Sequence, residues 1–241
     1  MSMPEETTEP KPQKIRIIKN GPYRVEGGVP LLHKTQVVSE QGEPLTWKKS
    51  EPVETPEGGY SLCRCGKSSR FPFCDGTHRR EGFDGTETAS TNTTSGRRTT
   101  IPGSTHIIVM KDETLCTGSG FCGMMGASFA DFVMETDNTR IRSLVIAMVE
   151  RCPSGSLTYR IDPNEPDIEP DLKSDISTTY EVISDSPIRG PLFVTGGIEI
   201  ERSDGQPLET RNRVTLCNCG NSCNKPLCDG SHRVKVRRVE L

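Results

Sequence analysis

The chain has 241 residues, only 32% of them apolar and 5% aromatic, and a formal net charge of −3. That composition argues against one thick core and for several small units, which need metal or disulfide staples. The near-neutral charge leaves no footprint for nucleic acid or an anionic membrane. No apolar run can span a bilayer, so no membrane anchor is expected, and the polar start, "MSMPEETTEPKPQK", lacks the apolar stretch of a secretory signal. The expected address is cytoplasmic, where thiols stay reduced and closely spaced cysteines, ten in all, read as metal ligands rather than disulfides.

In chain order, residues 1–14 are rich in Pro, Glu and Thr and are expected to form a disordered tail. A β-rich module is expected over 15–88, with short apolar runs at Ile15 to Ile18, Val29 to Leu32 and Gln36 to Val38, punctuated by "NGP", "EGG" and "QGEP". It carries "CRCGKSSRFPFCDGTH", Cys63 to His78. Residues 89–104, including "ASTNTTSGRRTT", have the composition of a linker. A middle unit over 105–162 opens on a strand-like "HIIVM", His106 to Met110, and later holds a short helix, Ser143 to Cys152. The acidic, proline-rich stretch 163–178 reads as a second, solvated linker. The last module, 179–241, carries "CNCGNSCNKPLCDGSH", Cys217 to His232.

The outer modules read as two copies of one unit. "GPYRVEGGV" at Gly21 matches "GPLFVTGGI" at Gly190, and subtracting 154 from Cys217, Cys219, Cys228 and His232 gives 63, 65, 74 and 78. The shared spacing is C-x-C-x8-C-x3-H, with Gly76 and Gly230 allowing the tight turn before the histidine. Four ligands of the Cys3His type suit either a closed tetrahedral zinc site or a 2Fe–2S cluster with one histidine ligand, which raises its potential.

Both motifs resemble the CDGSH iron–sulfur domain of the NEET family, over the full motif in each copy and with "NGPY" and "GGV" as lead-in. The resemblance implies a 2Fe–2S cluster at each motif. Cys63 and Cys65 would hold one iron and Cys74 and His78 the other; Cys217 and Cys219 would face Cys228 and His232 in the same way. Because single-motif members of that family pair as dimers, two motifs in one chain imply an intramolecular pseudo-dimer and a monomeric chain. Cys223 has Ser69 as its counterpart and reads as a bystander or a sulfur near the cluster.

In the middle unit, Cys116 and Cys122 stand six apart and Cys152 precedes Pro153, so residues 106–161 resemble a single-cluster ferredoxin whose central cysteine is replaced by Ser119. Three thiolates suit a 3Fe–4S cluster; the alternatives are a 4Fe–4S cluster completed by Ser119, water or an outside ligand, and three unrelated thiols. His33 and His106 have no cysteine neighbours and are set aside, and no nucleophile–base pair points to catalysis. The expected fold is α+β: two small β-rich CDGSH modules forming a pseudo-dimer, with a ferredoxin-like α+β insert.

The expected function is one-electron transfer with a redox partner protein. The alternatives are cluster storage, delivery to an apo iron–sulfur acceptor or redox and pH sensing, and a structural zinc module. Neutral imidazole, with a free pKa of about 6.5, is the ligand most easily lost to acid. The two terminal clusters are therefore expected to bleach on mild acidification before the middle one. Replacing both histidines, His78→Cys with His232→Cys, should slow that loss and lower the potential. Unchanged acid lability of the visible absorption in the double variant would rule out histidine as the weak point.

Overall fold

The computed structural model describes residues 12–124 and 126–234, so the expected tail over 1–11 and the chain end after 234 lie outside the described residues. The elements are β1 (Lys14–Ile17), β2 (Tyr23–Glu26), β3 (Leu31–Val38), β4 (Pro44–Lys49), β5 (Tyr60–Leu62), α1 (Thr77–Arg80), α2 (Thr94–Arg97), β6 (Thr99–Thr100), β7 (Ile108–Lys111), α3 (Phe129–Met134), α4 (Thr139–Arg151), β8 (Leu157–Arg160), β9 (Asp175–Ile183), β10 (Ser186–Thr195), β11 (Glu199–Glu201), β12 (Arg213–Leu216) and α5 (Ser231–Val234). The class is mixed α+β, and among the described residues no helix is long and apolar enough to cross a membrane.

The strands form three sheets, ordered β11-β1-β2-β5, β12-β10-β9-β3-β4 and β6-β7-β8. The first two are built across the repeat. The β1–β2 hairpin sets Ile15 opposite Val25, and the β9–β10 hairpin sets Ile176 opposite Val194. Each hairpin then receives a parallel strand from the other module: Ile200 of β11 beside Ile15, and Leu31 of β3 beside Ile176. The modules exchange strands about a pseudo-twofold, and their apolar faces merge into one cluster containing Ile15, Val25, Leu31, Ile176, Val194 and Ile200. Modules of this size bury too little surface alone, and sharing the core removes that deficit.

The repeat is broken at one place. Between its paired ends Ile17 and Tyr23 the first hairpin runs through five residues, 18–22; between the matching ends Thr178 and Leu192 the second runs through thirteen, 179–191. The second hairpin is thus eight residues longer.

The middle unit packs α3 and α4 on its three-stranded sheet, around Val109, Val133, Val145, Val149, Leu157 and Tyr159. Ser128 and Asp131 cap α3 reciprocally, and Asn138 caps α4 by accepting from Arg140 N. At the other end of α4, the buried Arg213 of β12 donates through Nη1 to the carbonyls of Val149 (2.8 Å), Glu150 (2.7 Å) and Cys152 (2.9 Å). It adds a charged donor to the carbonyls at the helix end, where the ladder of the helix runs out, and ties the middle unit to the last module.

Both stretches expected as linkers are built into the fold. In 89–104, Ala89 N–H donates to Lys225 O at 2.9 Å, Thr94 donates to Glu209 Oε2 through N and Oγ1 at 2.9 and 2.8 Å, and Thr99–Thr100 form β6. Thr94 is buried and its hydroxyl is satisfied by protein rather than water, while Ser90, Thr91, Thr93, Ser95, Thr99 and Thr100 stay exposed as their composition suggests. In 163–178, Asp167 pairs with Arg98 and Arg160, Glu169 pairs with Arg213, and Asp175 pairs with the buried Lys34 at 3.3 Å. Strand β9 already starts at Asp175, ahead of the expected module start at 179; its buried Ser177 and Thr178 hide the apolar alternation of a strand. Likewise Lys14, expected in the tail, opens β1.

Truncating Arg213 leaves four carbonyls, those of Val149, Glu150, Cys152 and Leu157, and Glu169 without their cation. Arg213→Ala is expected to lower stability by about 3–5 kcal/mol, measured by denaturant unfolding; a loss under about 1 kcal/mol would mean that water replaces the guanidinium without penalty.

Candidate metal centres

Each terminal motif is folded by the same short ladder. Strand β5 delivers Cys63, whose N–H donates to Pro72 O at 2.8 Å, while Cys74 N–H donates to Ser61 O at 2.8 Å. In the second copy β12 delivers Cys217, which donates to Pro226 O at 2.8 Å, and Cys228 donates to Thr215 O at 2.9 Å. These bonds lay the C-x-C segment against the C-D-G segment. The aspartates tie the intervening loops: Asp75 Oδ2 accepts from Ser69 N at 2.9 Å and Asp229 Oδ2 from Cys223 N at 2.7 Å. The backbone N–H groups of Thr77 and Ser69 hold the Asp75 carboxyl well below the usual carboxylate range, so it stays an acceptor that fixes the loop.

All ten cysteines are free thiols. Cys63 Sγ and Cys65 Sγ stand 3.8 Å apart, and Cys217 Sγ and Cys219 Sγ 3.7 Å. Cys74 Sγ lies 3.3 Å from His78 Nδ1, and Cys228 Sγ 3.4 Å from His232 Nδ1. Two sulfurs on one tetrahedral metal at about 2.3 Å are about 3.8 Å apart, and a sulfur with a nitrogen at about 2.0 Å is about 3.5 Å from it. The donors are thus arranged as two metal-sized pairs per motif. Among the described residues no three or more Cys, His, Asp or Glu side chains converge as a single ion requires. The paired donors fit a centre of two metals. Burial pushes the Cys63 thiol up to about 11 and Cys228 well above the thiol range; holding them as thiolates calls for the positive charge a metal centre brings.

The two sites differ in exposure. Cys74 and His78 are half-buried, whereas Cys228 and His232 are each 2% exposed. Cys223 is exposed and is held only through its backbone, by Asp229 and by Thr88 Oγ1 donating to its carbonyl at 2.7 Å. His33 Nδ1 hydrogen-bonds the Thr178 hydroxyl, and His106 is exposed in a turn.

In the middle unit, Asp112 caps the 3-10 turn Glu113–Leu115 that leads into Cys116, and Arg97 anchors that carboxylate at 2.8 Å. Cys152 ends α4. Cys116, Cys122 and Cys152 line one cavity together with Ser119 and Thr117. Thr117 Oγ1 is buried without a hydrogen-bond partner, as a donor reserved for cluster sulfur would be. Lys111 also lines this cavity and carries a positive charge beside three thiols; nothing in its sequence position in β7 signals that role. Gln36 of β3 was equally silent in the sequence, yet its Nε2 donates to Ser119 O at 2.8 Å and its Oε1 accepts from Val182 N at 3.0 Å, fixing the cluster loop to both outer modules.

The three sites touch in sequence. A Cβ on Gly66 would stand 2.7 Å from Cys219 O, and one on Gly220 2.7 Å from Cys65 O, so the two terminal loops meet backbone to backbone across the pseudo-twofold. A Cβ on Gly230 would stand 2.9 Å from Thr117 O, and one on Gly118 3.5 Å from Arg233 Cδ. The order is first terminal site, second terminal site, middle site.

Residues 20–79 and 189–233 match a family described as iron-binding zinc finger, CDGSH type, and residues 103–162 match one described as divergent 4Fe-4S mono-cluster. Nothing matches among curated proteins or among solved structures.

Gly220→Ala should cost about 2 kcal/mol or more, since a left-handed φ of 81° and a backbone clash act together. Gly205→Ala, with φ 71° and open space around the added methyl, should cost about 1 kcal/mol. Equal losses in denaturant unfolding would show that the close approach of the two loops is unimportant.

Proposed function

We propose that this chain, which carries two CDGSH-type iron-binding domains flanking a divergent 4Fe–4S mono-cluster domain, is an electron carrier whose three iron–sulfur sites work as a row. Clusters held there supply one-electron oxidation and reduction at potentials set by ligands and surroundings. Cys63 with Cys65, and Cys74 with His78, would hold the two irons of one 2Fe–2S centre; Cys217 with Cys219, and Cys228 with His232, would hold those of the other. Cys116, Cys122 and Cys152 would hold three irons in the middle cavity, as a 3Fe–4S centre. In the 4Fe–4S form, Ser119 or an outside ligand would take the fourth.

The observation that carries this reading is contiguity: Gly66, Gly220 and Gly230 let the three ligand loops approach without side chains between their backbones. Covalent linkage and packing hold the sites at one another's side, replacing diffusive encounter between separate carriers. The half-buried Cys74 and His78 favour a second reading in which the first site gives up its cluster as cargo to an apo acceptor.

Protein purified without oxygen should be brown, with about seven irons per chain, two at each terminal site and three in the middle. An electron paramagnetic resonance signal in the protein as isolated marks the 3Fe–4S form. After reduction and mixing with an apo-ferredoxin, iron should stay with this chain. Iron and sulfide appearing in the acceptor would replace the relay by the cargo reading, and colourless protein with stoichiometric zinc would overturn both.

A further inference from the structure

The eight-residue lengthening of the β9–β10 hairpin carries Glu181, which is 1% exposed. Its Oε2 lies 3.1 Å from His232 Nε2 and also accepts from Arg233 Nη1. The ring is therefore gripped at both ends, with Nδ1 beside Cys228 Sγ at 3.4 Å and Nε2 against a carboxylate. If Nδ1 binds metal, Nε2 carries the proton and donates it to Glu181, the arrangement that fixes a ligand histidine and raises its basicity. At the first site the ring has the same orientation, with His78 Nδ1 3.3 Å from Cys74 Sγ, but no described residue hydrogen-bonds Nε2. The short hairpin there has no residue corresponding to Glu181. The arginine after the histidine is common to both sites, since subtracting 154 from Arg233 gives Arg79. The polar surroundings of the two histidines thus differ chiefly by one buried carboxylate.

A structural role does not account for that carboxylate. Its second oxygen, Oε1, is buried without a hydrogen-bond partner, and a buried charge held by incomplete hydrogen bonding is not a stabilising device. We propose that Glu181 is a positioning residue that holds His232 for metal binding and makes the second terminal site the lower-potential member of the pair. A fixed negative charge in a low-dielectric pocket, acting through the imidazole, favours the oxidised form of what that imidazole binds. The inference rests on the reading of both terminal motifs as 2Fe–2S centres.

The test is a redox titration of the loaded full-length chain, followed by electron paramagnetic resonance, in the wild type and in Glu181→Gln. Wild type should show two separate terminal potentials. In Glu181→Gln the lower should rise about tenfold in its reduction equilibrium, about 59 mV, while the other stays, and the histidine nitrogen coupling should change at one site only. Glu181→Asp, which restores the charge, should recover part of the shift. If Glu181→Gln fails to fold, Arg233→Gln keeps the carboxylate and removes its counter-cation, so the lower potential should fall further. Two loaded sites whose potentials move together, or do not move in either variant, would overturn the role of Glu181 alone. Wild type without iron or sulfide would overturn the cluster reading beneath it as well.

Discussion

The parallel pairing of Leu31 with Ile176, and of Ile200 with Ile15, is the constraint on which the rest of the structure depends. Each outer module gives a strand to the sheet of the other, so neither closes a core by itself. With only 32% apolar residues the chain cannot fill two independent interiors, and it fills one common interior instead. The consequence reaches the metal sites directly. Tyr23, on β2 of the first module, is fully buried and donates its hydroxyl to the carbonyl of Cys217 at 2.7 Å, so a side chain of one copy sets the backbone of a candidate ligand in the other. The strand exchange also brings the two C-x-C loops to the pseudo-twofold, where Gly66 and Gly220 meet the facing carbonyls.

From that symmetric frame the chain departs in two ways, both on the side of the second copy. The middle unit is fastened there by Arg213 at the end of α4 and by the close approach of Thr117 to Gly230. The longer β9–β10 hairpin covers His232 with Glu181. The Cys228 and His232 pair is consequently buried between two neighbours while the first site keeps a half-buried Cys74 and His78; at the other pair the order reverses, with Cys65 buried and Cys219 half-buried. Burial and charge are the quantities that tune a cluster, so one repeated set of candidate ligands gains two environments without any change in residue type.

The spacing of the candidate ligands was legible in the sequence because it is local. Cys63, Cys65, Cys74 and His78 lie within sixteen residues, and the copy reproduces every interval. The structure adds that each set falls into two donor pairs, a division that spacing alone did not give. Cys116, Cys122 and Cys152 were legible for the same reason, through the short C-x5-C loop and the C-P step, and they share one cavity. What composition misread were the connections. Thr94 and the acidic residues Asp167, Glu169 and Asp175 have the character of solvated linkers, yet each has a protein partner distant in sequence. Partners such as Glu209 for Thr94, or Arg213 for Glu169, leave no trace in a local window. Gln36, Lys111 and Glu181 escaped because their partners are distant in sequence: Ser119 for Gln36, Cys152 in the cavity that Lys111 lines, and His232 for Glu181.

Carrying both copies in one chain changes what the sites can become. When two identical chains pair about a twofold, every residue occurs twice, and a carboxylate beside one histidine must stand beside the other. In a single chain the copies can diverge while the shared core still enforces their geometry. Leu31, Ile176, Ile15 and Ile200 keep the frame symmetric, because a change in one would be felt in both sheets. The hairpin tip at 179–191 contributes nothing to that apolar cluster and is free to lengthen. The division explains where the asymmetry lies: the strands that build the common core obey the repeat, and the segments outside it carry Glu181 and the contacts to the middle unit.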